Sequence, residues 1–239
     1  MANLITREAI KVKSATVQTM DLTYFKDTHI LAAQLNFLKP KIGKDLYNVL
    51  LAQSRQYDTW TSGATFASGT FCVHSYQDEH DVSTYGYFTN ISGSNTGEPQ
   101  LTTADFSPVT FFGGGQTKYD NLYENGIENA LAFYALAEAL PNLQYKTGGH
   151  GIMTDAPEFQ EQAPLKRQID YCYGMGDTFM EQAIDYICDN SSDYPEYCPE
   201  ESKGSNRAGI VTYWSDKQIS KQRYNKNDDY IYYDENWNK

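Results

Sequence analysis

Two stretches of the chain carry apolar residues at helical spacing over four turns or more. In the later one, Leu165, Ile169, Cys172, Gly176, Phe179, Ala183 and Ile187 recur in steps of three and four. Such steps place them on one helix face. Its other side carries Asp170, Asp177, Glu181, Asp185 and Asp189, an acidic face turned to solvent or to a lumen. In the earlier stretch Leu122, Gly126, Ala130, Phe133, Ala137 and Leu140 repeat the pattern, and Pro141 is expected to close it because proline cannot donate the next backbone bond. Two such helices joined by a loop predict an antiparallel hairpin.

Shorter patterns surround that pair. Residues 4–13 read as a short helix capped by Thr6. A second helix is expected over about 24–38, with Asp21 and Thr23 as candidate caps. A third starts at Pro40 and runs through Ile42, Leu46, Val49 and Leu50. Gly43 inside it would cost about 1 kcal/mol relative to alanine, so it could instead permit close approach to a neighbour. From 54 to 117 the composition changes to Gly, Ser, Thr and aromatics. Residues 69–76 and 83–91 there, rich in β-branched and aromatic types, predict a hairpin. After Asn190 the chain is polar and aromatic, with Tyr213, Trp214, Tyr224, Tyr230, Tyr232, Tyr233 and Trp237. Rings in such numbers are costly to leave in water and suit an arm that orders against a partner.

The pattern therefore predicts a mainly α fold. Residues 1–53 and 118–190 form a helical-bundle domain, 54–117 a β-hairpin-like insertion, and 191–239 an extended aromatic arm. At 239 residues the chain is long enough for one large domain with an appendage. It holds no apolar run of the roughly 20 residues a membrane span needs, and its first residues lack a signal-peptide core, so a cytosolic site of synthesis is expected.

Charge sharpens the picture. The net charge is -12, and it is uneven: residues 1–50 carry seven Lys/Arg against four Asp/Glu, whereas residues 118–190 carry four against twelve. An acidic surface does not grip phosphate, because nucleic-acid affinity comes from cations that replace condensed counterions. It can stand beside DNA and repel it, as a channel wall must.

Candidate chemistry is sparse. Cys72, His74 and His80, with Asp78, Glu79 and Asp81, suggest a metal site, but the second Cys or His pair of a structural zinc is missing. Gly113, Gly114 and Gly115 lack the ending of a phosphate-binding loop. His150 has no nucleophile that spacing can pair with it. Cys72, Cys172, Cys188 and Cys198 have neither CxxC spacing nor the density of a disulfide framework. No catalytic, cofactor-binding or metal residue is therefore assigned, and the chain is read as a non-enzyme.

Five segments occur in an informative order: LITREAIKV, AAQLNFLKPKIGKDLYNVLLAQ, LAFYALAEALPNL, TGGHGIM and CDNSSDYPEY. Their succession resembles the head-to-tail connector, or adaptor, proteins of tailed bacteriophages, in particular phages of Bacteroides hosts including the crAss-like group. The resemblance extends over roughly two thirds of the chain, and Leu38 to Tyr47 is its most telling part. It implies a virion protein of the neck, assembled in the host cytoplasm as a ring of commonly about twelve copies. Such a ring sits under the portal protein, extends the DNA channel and offers the next neck or tail ring its docking surface. The resemblance supplies no catalytic residues. In that setting Asp177, Glu181 and Asp185 are the expected channel-facing side chains, and the tail aromatics are the expected interface. The insertion and the arm leave the capsid or fibres as further partners. Two rival readings are a tail or fibre protein that recognises glycan or another virion protein, and a metal enzyme centred on Cys72, His74 and His80.

Overall fold

In the computed structural model the described residues are 3–14, 21–78, 82–93, 96–99, 104–112, 117–148, 151–154 and 163–197. They belong to one compact unit, Met1–Glu200. The candidate positions His80, Glu79, Asp81, Gly113 to Gly115, His150, Cys198 and the tail aromatics from Tyr213 to Trp237 lie outside the described residues.

The chain opens with α1 (Arg7–Lys13), whose N-cap Thr6 takes the Ala9 amide on its hydroxyl at 3.3 Å. A 3-10 turn at Leu22–Tyr24 is capped by Asp21, so α2 begins only at Asp27 and runs to Ala33. It passes through a π-type turn, Gln34–Leu38, into α3 (Lys39–Ile42). Gly43, at φ 83°, then turns the chain into α4 (Lys44–Gln53). That backbone angle, unfavourable for side-chain-bearing residues, is why glycine stands there.

Four strands follow: β1 (Asp58–Thr59), β2 (Phe71–Gln77), β3 (Ser83–Asn90) and β4 (Phe106–Val109), in spatial order β1-β2-β3-β4. β1 runs parallel to β2, and the other pairs are antiparallel, with Cys72 opposite Phe88 and Val73 opposite Tyr87. Because side chains alternate across a strand, Val73, Tyr87 and Val109 face the helices. Cys72, Phe88 and Phe106 face away and form a second apolar cluster with Phe66. The sheet is thus covered on both sides.

The helical half returns with α5 (Lys118–Leu122), a π-type turn at Tyr123–Ile127, and α6 (Glu128–Gln144). A short hairpin of β5 (Tyr145–Gly148) and β6 (Gly151–Thr154) precedes α7 (Ala163–Asp189). α6 is buried nearly all round, from Ala130 to Ala137, and packs along α7 while α1 and α2 cover its other sides. At Gly126 (φ 152°) an added Cβ would lie 2.5 Å from the Phe179 carbonyl oxygen, so α7 touches backbone there. At Gly176 an added Cβ would meet the Tyr134 ring at 2.6 Å.

These observations correct the expected architecture in four places. The fold is mixed α/β and not a mainly helical bundle with an appended hairpin: Val73, Tyr87, Phe111 and Phe112 lie in the same buried cluster as Ile10, Ile30 and Leu136. The earlier long helix is interrupted, because Asn125 and Gly126 leave helical backbone angles. Pro141 sits inside α6 and does not end it. Residues 191–197, assigned by sequence to the arm, fold back: Tyr194 is buried and its hydroxyl donates to the Lys118 carbonyl at 2.5 Å.

Candidate interaction surface

The acidic side of α7 is built by its own periodicity. Cys172, Gly176, Met180, Ala183 and Ile187 are buried, which leaves Asp170, Asp185 and Asp189 exposed on the other side. The three carboxylates expected to line a channel separate into different surroundings. Asp185 is exposed and Glu181 half-buried. Asp177 turns partly inward: its Oδ1 takes the Tyr134 hydroxyl at 2.6 Å and pairs with the Lys41 ammonium. Lys41 also donates to the Tyr134 oxygen at 2.8 Å, and Phe37 stacks on the Tyr134 ring at 4.7 Å. One node so ties α3, α6 and α7 together, and burial beside Asp177 pushes the Tyr134 hydroxyl well above its ordinary pKa. Spacing could not announce it, since Lys41 and Asp177 are 136 residues apart.

A second buried polar group joins sheet to helices. Glu128, at 6 % side-chain exposure, pairs with Lys13 at 3.3 Å and accepts from the Tyr87 hydroxyl at 3.1 Å. Desolvation raises the Tyr87 hydroxyl far above its usual value, so this phenol stays a donor to a carboxylate that already has a cation. Asp120 performs a similar service one turn into α5. Its carboxylate accepts from the Phe112 amide at 3.1 Å and from the Thr117 amide at 3.0 Å, which fixes the end of the sheet segment to the helix.

The sequence-suggested metal position comes apart in the structure. Cys72 lies in the outer apolar cluster, where burial pushes its thiol up to about 11. His74 is engaged elsewhere, its Nε2 2.9 Å from Glu98 Oε1, with Trp60 edge-on to its ring at 4.5 Å. Trp60 in turn donates to the Gly97 carbonyl at 3.1 Å, so both side chains fasten the 97–98 segment over the sheet. Asp78 accepts from the Val82 amide and closes the hairpin. Among the described residues no group of three or more His, Cys, Asp or Glu could hold a metal ion. No described helix is long and apolar enough to cross a membrane.

The two sheet edges differ in a way the sequence did not signal. At β4, the Ile91 amide donates to the Asp105 carbonyl at 2.8 Å. The antiparallel alternation then turns Phe106 and Pro108 away from β3, so Pro108 stands where its missing N–H weakens no ladder bond and offers nothing to an added strand. Among the described residues β1 has no such guard. Beside it a cavity of about 510 Å³ is lined by Asn3, Arg7, Asp27, Arg55, Tyr57 and Thr59 among others. Arg7 pairs with Asp27 at 3.0 Å across one wall, and Thr59 Oγ1 donates to the buried Glu8 at 2.5 Å on the other.

A mixed α/β domain whose long helix displays carboxylates, and whose sheet leaves one edge open, is defined by surfaces available to other molecules. Residues 102–207, which take in β4 and α5 to α7, match a family described as a family of unknown function (DUF6712). No curated protein and no solved structure matches the chain.

Proposed function

We propose that this chain is a structural virion protein, a ring-forming subunit in the neck of a tailed bacteriophage that joins the portal to the tail and extends the DNA channel. The observation that carries the reading is α7. One side of this 27-residue helix is buried against α6 while Asp170, Asp185 and Asp189 are exposed on the other. Carboxylates spread along a rigid rod repel a passing phosphate backbone without binding it, as the wall of a DNA conduit requires. The order of segments resembling phage connectors supports the same reading. Two of the expected channel residues contribute less than spacing suggests, since Asp177 is committed to Lys41 and Tyr134 and Glu181 is half-buried. Exposed Asp170 and Asp189 take their place beside Asp185.

A closed ring needs two different patches on each subunit that fit one another. The test is the mass and electron-microscope image of the purified full-length chain, alone and mixed with the portal protein of the same virus. Closed rings, or a co-migrating complex with portal, are the expected result. A chain that stays monomeric at high concentration and ignores portal refutes the assignment.

A further inference from the structure

We infer that the open edge of β1 is a strand-docking groove, and that its occupant is residues 209–214 of a second copy of this chain. The inference rests on the ring reading for its partner, but its evidence is the edge itself. In the parallel register Asp58 lies opposite Cys72, and the Trp60 amide donates to the Val73 carbonyl at 2.9 Å. This turns the backbone groups of Asp58 and Trp60 toward β2 and those of Tyr57 and Thr59 toward the free side. No backbone N–H or C=O of Tyr57 or Thr59 is paired on that side with any described residue. Both residues line the 510 Å³ cavity, whose opposing wall is formed by Asn3, Ile5, Arg7, Asp27 and Ile30 around the starts of α1 and α2. An open strand edge with an opposing wall is the arrangement in which an extended peptide adds to a sheet, main-chain bonds supplying affinity and flanking pockets selectivity. The opposite edge, guarded by Pro108, cannot serve in this way.

The occupant is argued from the sequence. Gly209-Ile-Val-Thr-Tyr-Trp214 is an unbroken run of five β-branched or aromatic residues after a glycine, the composition of a strand. Arg207 precedes it and Asp216 follows. These charges complement a groove that exposes Asp27 and Asp58 as well as Arg7 and Arg55. Eleven residues separate Tyr197, where the described part of the unit ends, from Gly209. They span up to about 40 Å when extended, enough to reach an adjoining subunit. Exchange of this kind makes a head-to-tail contact, because the donor segment and the acceptor groove are different surfaces.

The experiment uses the full-length chain. Self-association is measured by light scattering for wild type, Thr59→Pro, Thr59→Val and the tail double variant Val211→Pro/Thr212→Pro. Thr59→Pro removes the outward N–H yet keeps both β2-facing neighbours, whereas Thr59→Val keeps that N–H and removes only the hydroxyl bonded to Glu8. Association at least tenfold weaker in both proline variants, with Thr59→Val near wild type, is the expected result. Since Thr59→Pro could fail to fold, hydrogen exchange on wild type gives an independent reading. The Tyr57 and Thr59 amides should exchange at least tenfold more slowly in the assembled state than in dilute monomer. Assemblies that survive both prolines, or edge amides that exchange equally fast in either state, overturn the groove and leave the ring reading standing. A monomeric wild type overturns both.

Discussion

Gly126 offers the sharpest test of how the two long helices meet. Replacement by alanine puts a methyl 2.5 Å from the Phe179 carbonyl oxygen and 2.9 Å from both the Ala183 nitrogen and Cβ. Two of those neighbours are α7 backbone, which cannot swing aside as a flexible side chain would. Forcing a close-packed contact apart costs about 1–3 kcal/mol. A non-glycine residue held at φ 152° adds about 1–3 kcal/mol. Partial relaxation shares these costs, so a net loss of about 3 kcal/mol is expected, a sizeable part of the about 5–15 kcal/mol available to a domain. For a domain of this size it lowers the melting temperature by about 6–12 °C. Gly174 is the control: it lies on the exposed side of α7 with nothing within 4 Å of an added Cβ. Gly174→Ala should gain up to about 1 kcal/mol from helix propensity alone and melt slightly higher. Thermal unfolding followed by far-ultraviolet circular dichroism separates the two. A Gly126→Ala protein melting within about 2 °C of wild type, or moving in the same direction as Gly174→Ala, would show that the helices do not touch at this point.

Two further expectations concern protonation and thiol chemistry. Burial holds the pKa of His29 below its ordinary 6.5, aided by nearby Lys26, while its Nδ1 accepts from the Lys26 amide at 3.4 Å. Well above 6.5 the imidazole is neutral in both folded and unfolded chain and its contribution is intact; as pH falls past 6.5 towards the lower folded value the unfolded chain takes up the proton first, and stability drops. Urea midpoints from pH 8 to 5 should fall in wild type and flatten in His29→Gln, and parallel curves would remove His29 from the account. Cys72 and Cys172 are buried with thiols pushed up to about 11, while Cys188 is exposed. A thiol reagent at pH 8 should therefore modify Cys188 and spare the other two until denaturant is added. Peptide mapping that finds all three labelled at one rate in the folded protein would contradict the packing described.

How legible the molecule was in its sequence depends on the range of the interaction. Local signals held up well: Thr6 caps α1, and the burial of Cys172, Gly176, Ala183 and Ile187 on α7 follows their spacing. The hairpin of β2 and β3 falls close to the two β-rich runs. What periodicity could not carry was the role of the sheet. Residues facing both sides of β2 are buried, so Cys72 and Val73 sit side by side in different clusters, and no alternation marks which face meets the helices. β1 has only two residues, too few for any pattern. Pro141 was misleading because a proline near a helix end can stay within its last turns. Gly126 fitted the apolar repeat by position but breaks the helix by conformation. Of the expected channel carboxylates, Asp177 was claimed by a lysine on the far side of the sequence.

The position of α6 bears on when this protein can fold during synthesis. Ile10 and Ile30 come early in the chain, yet the helix they are buried with is translated more than a hundred residues later, and α7 later still. At about 5–20 residues per second, translating the stretch from α5 to the end of α7 occupies a ribosome for roughly 4–14 s. Until that interval ends the leading apolar segments lack their full native cover, so newly made N-terminal halves crowded on one messenger are the species most exposed to premature clumping.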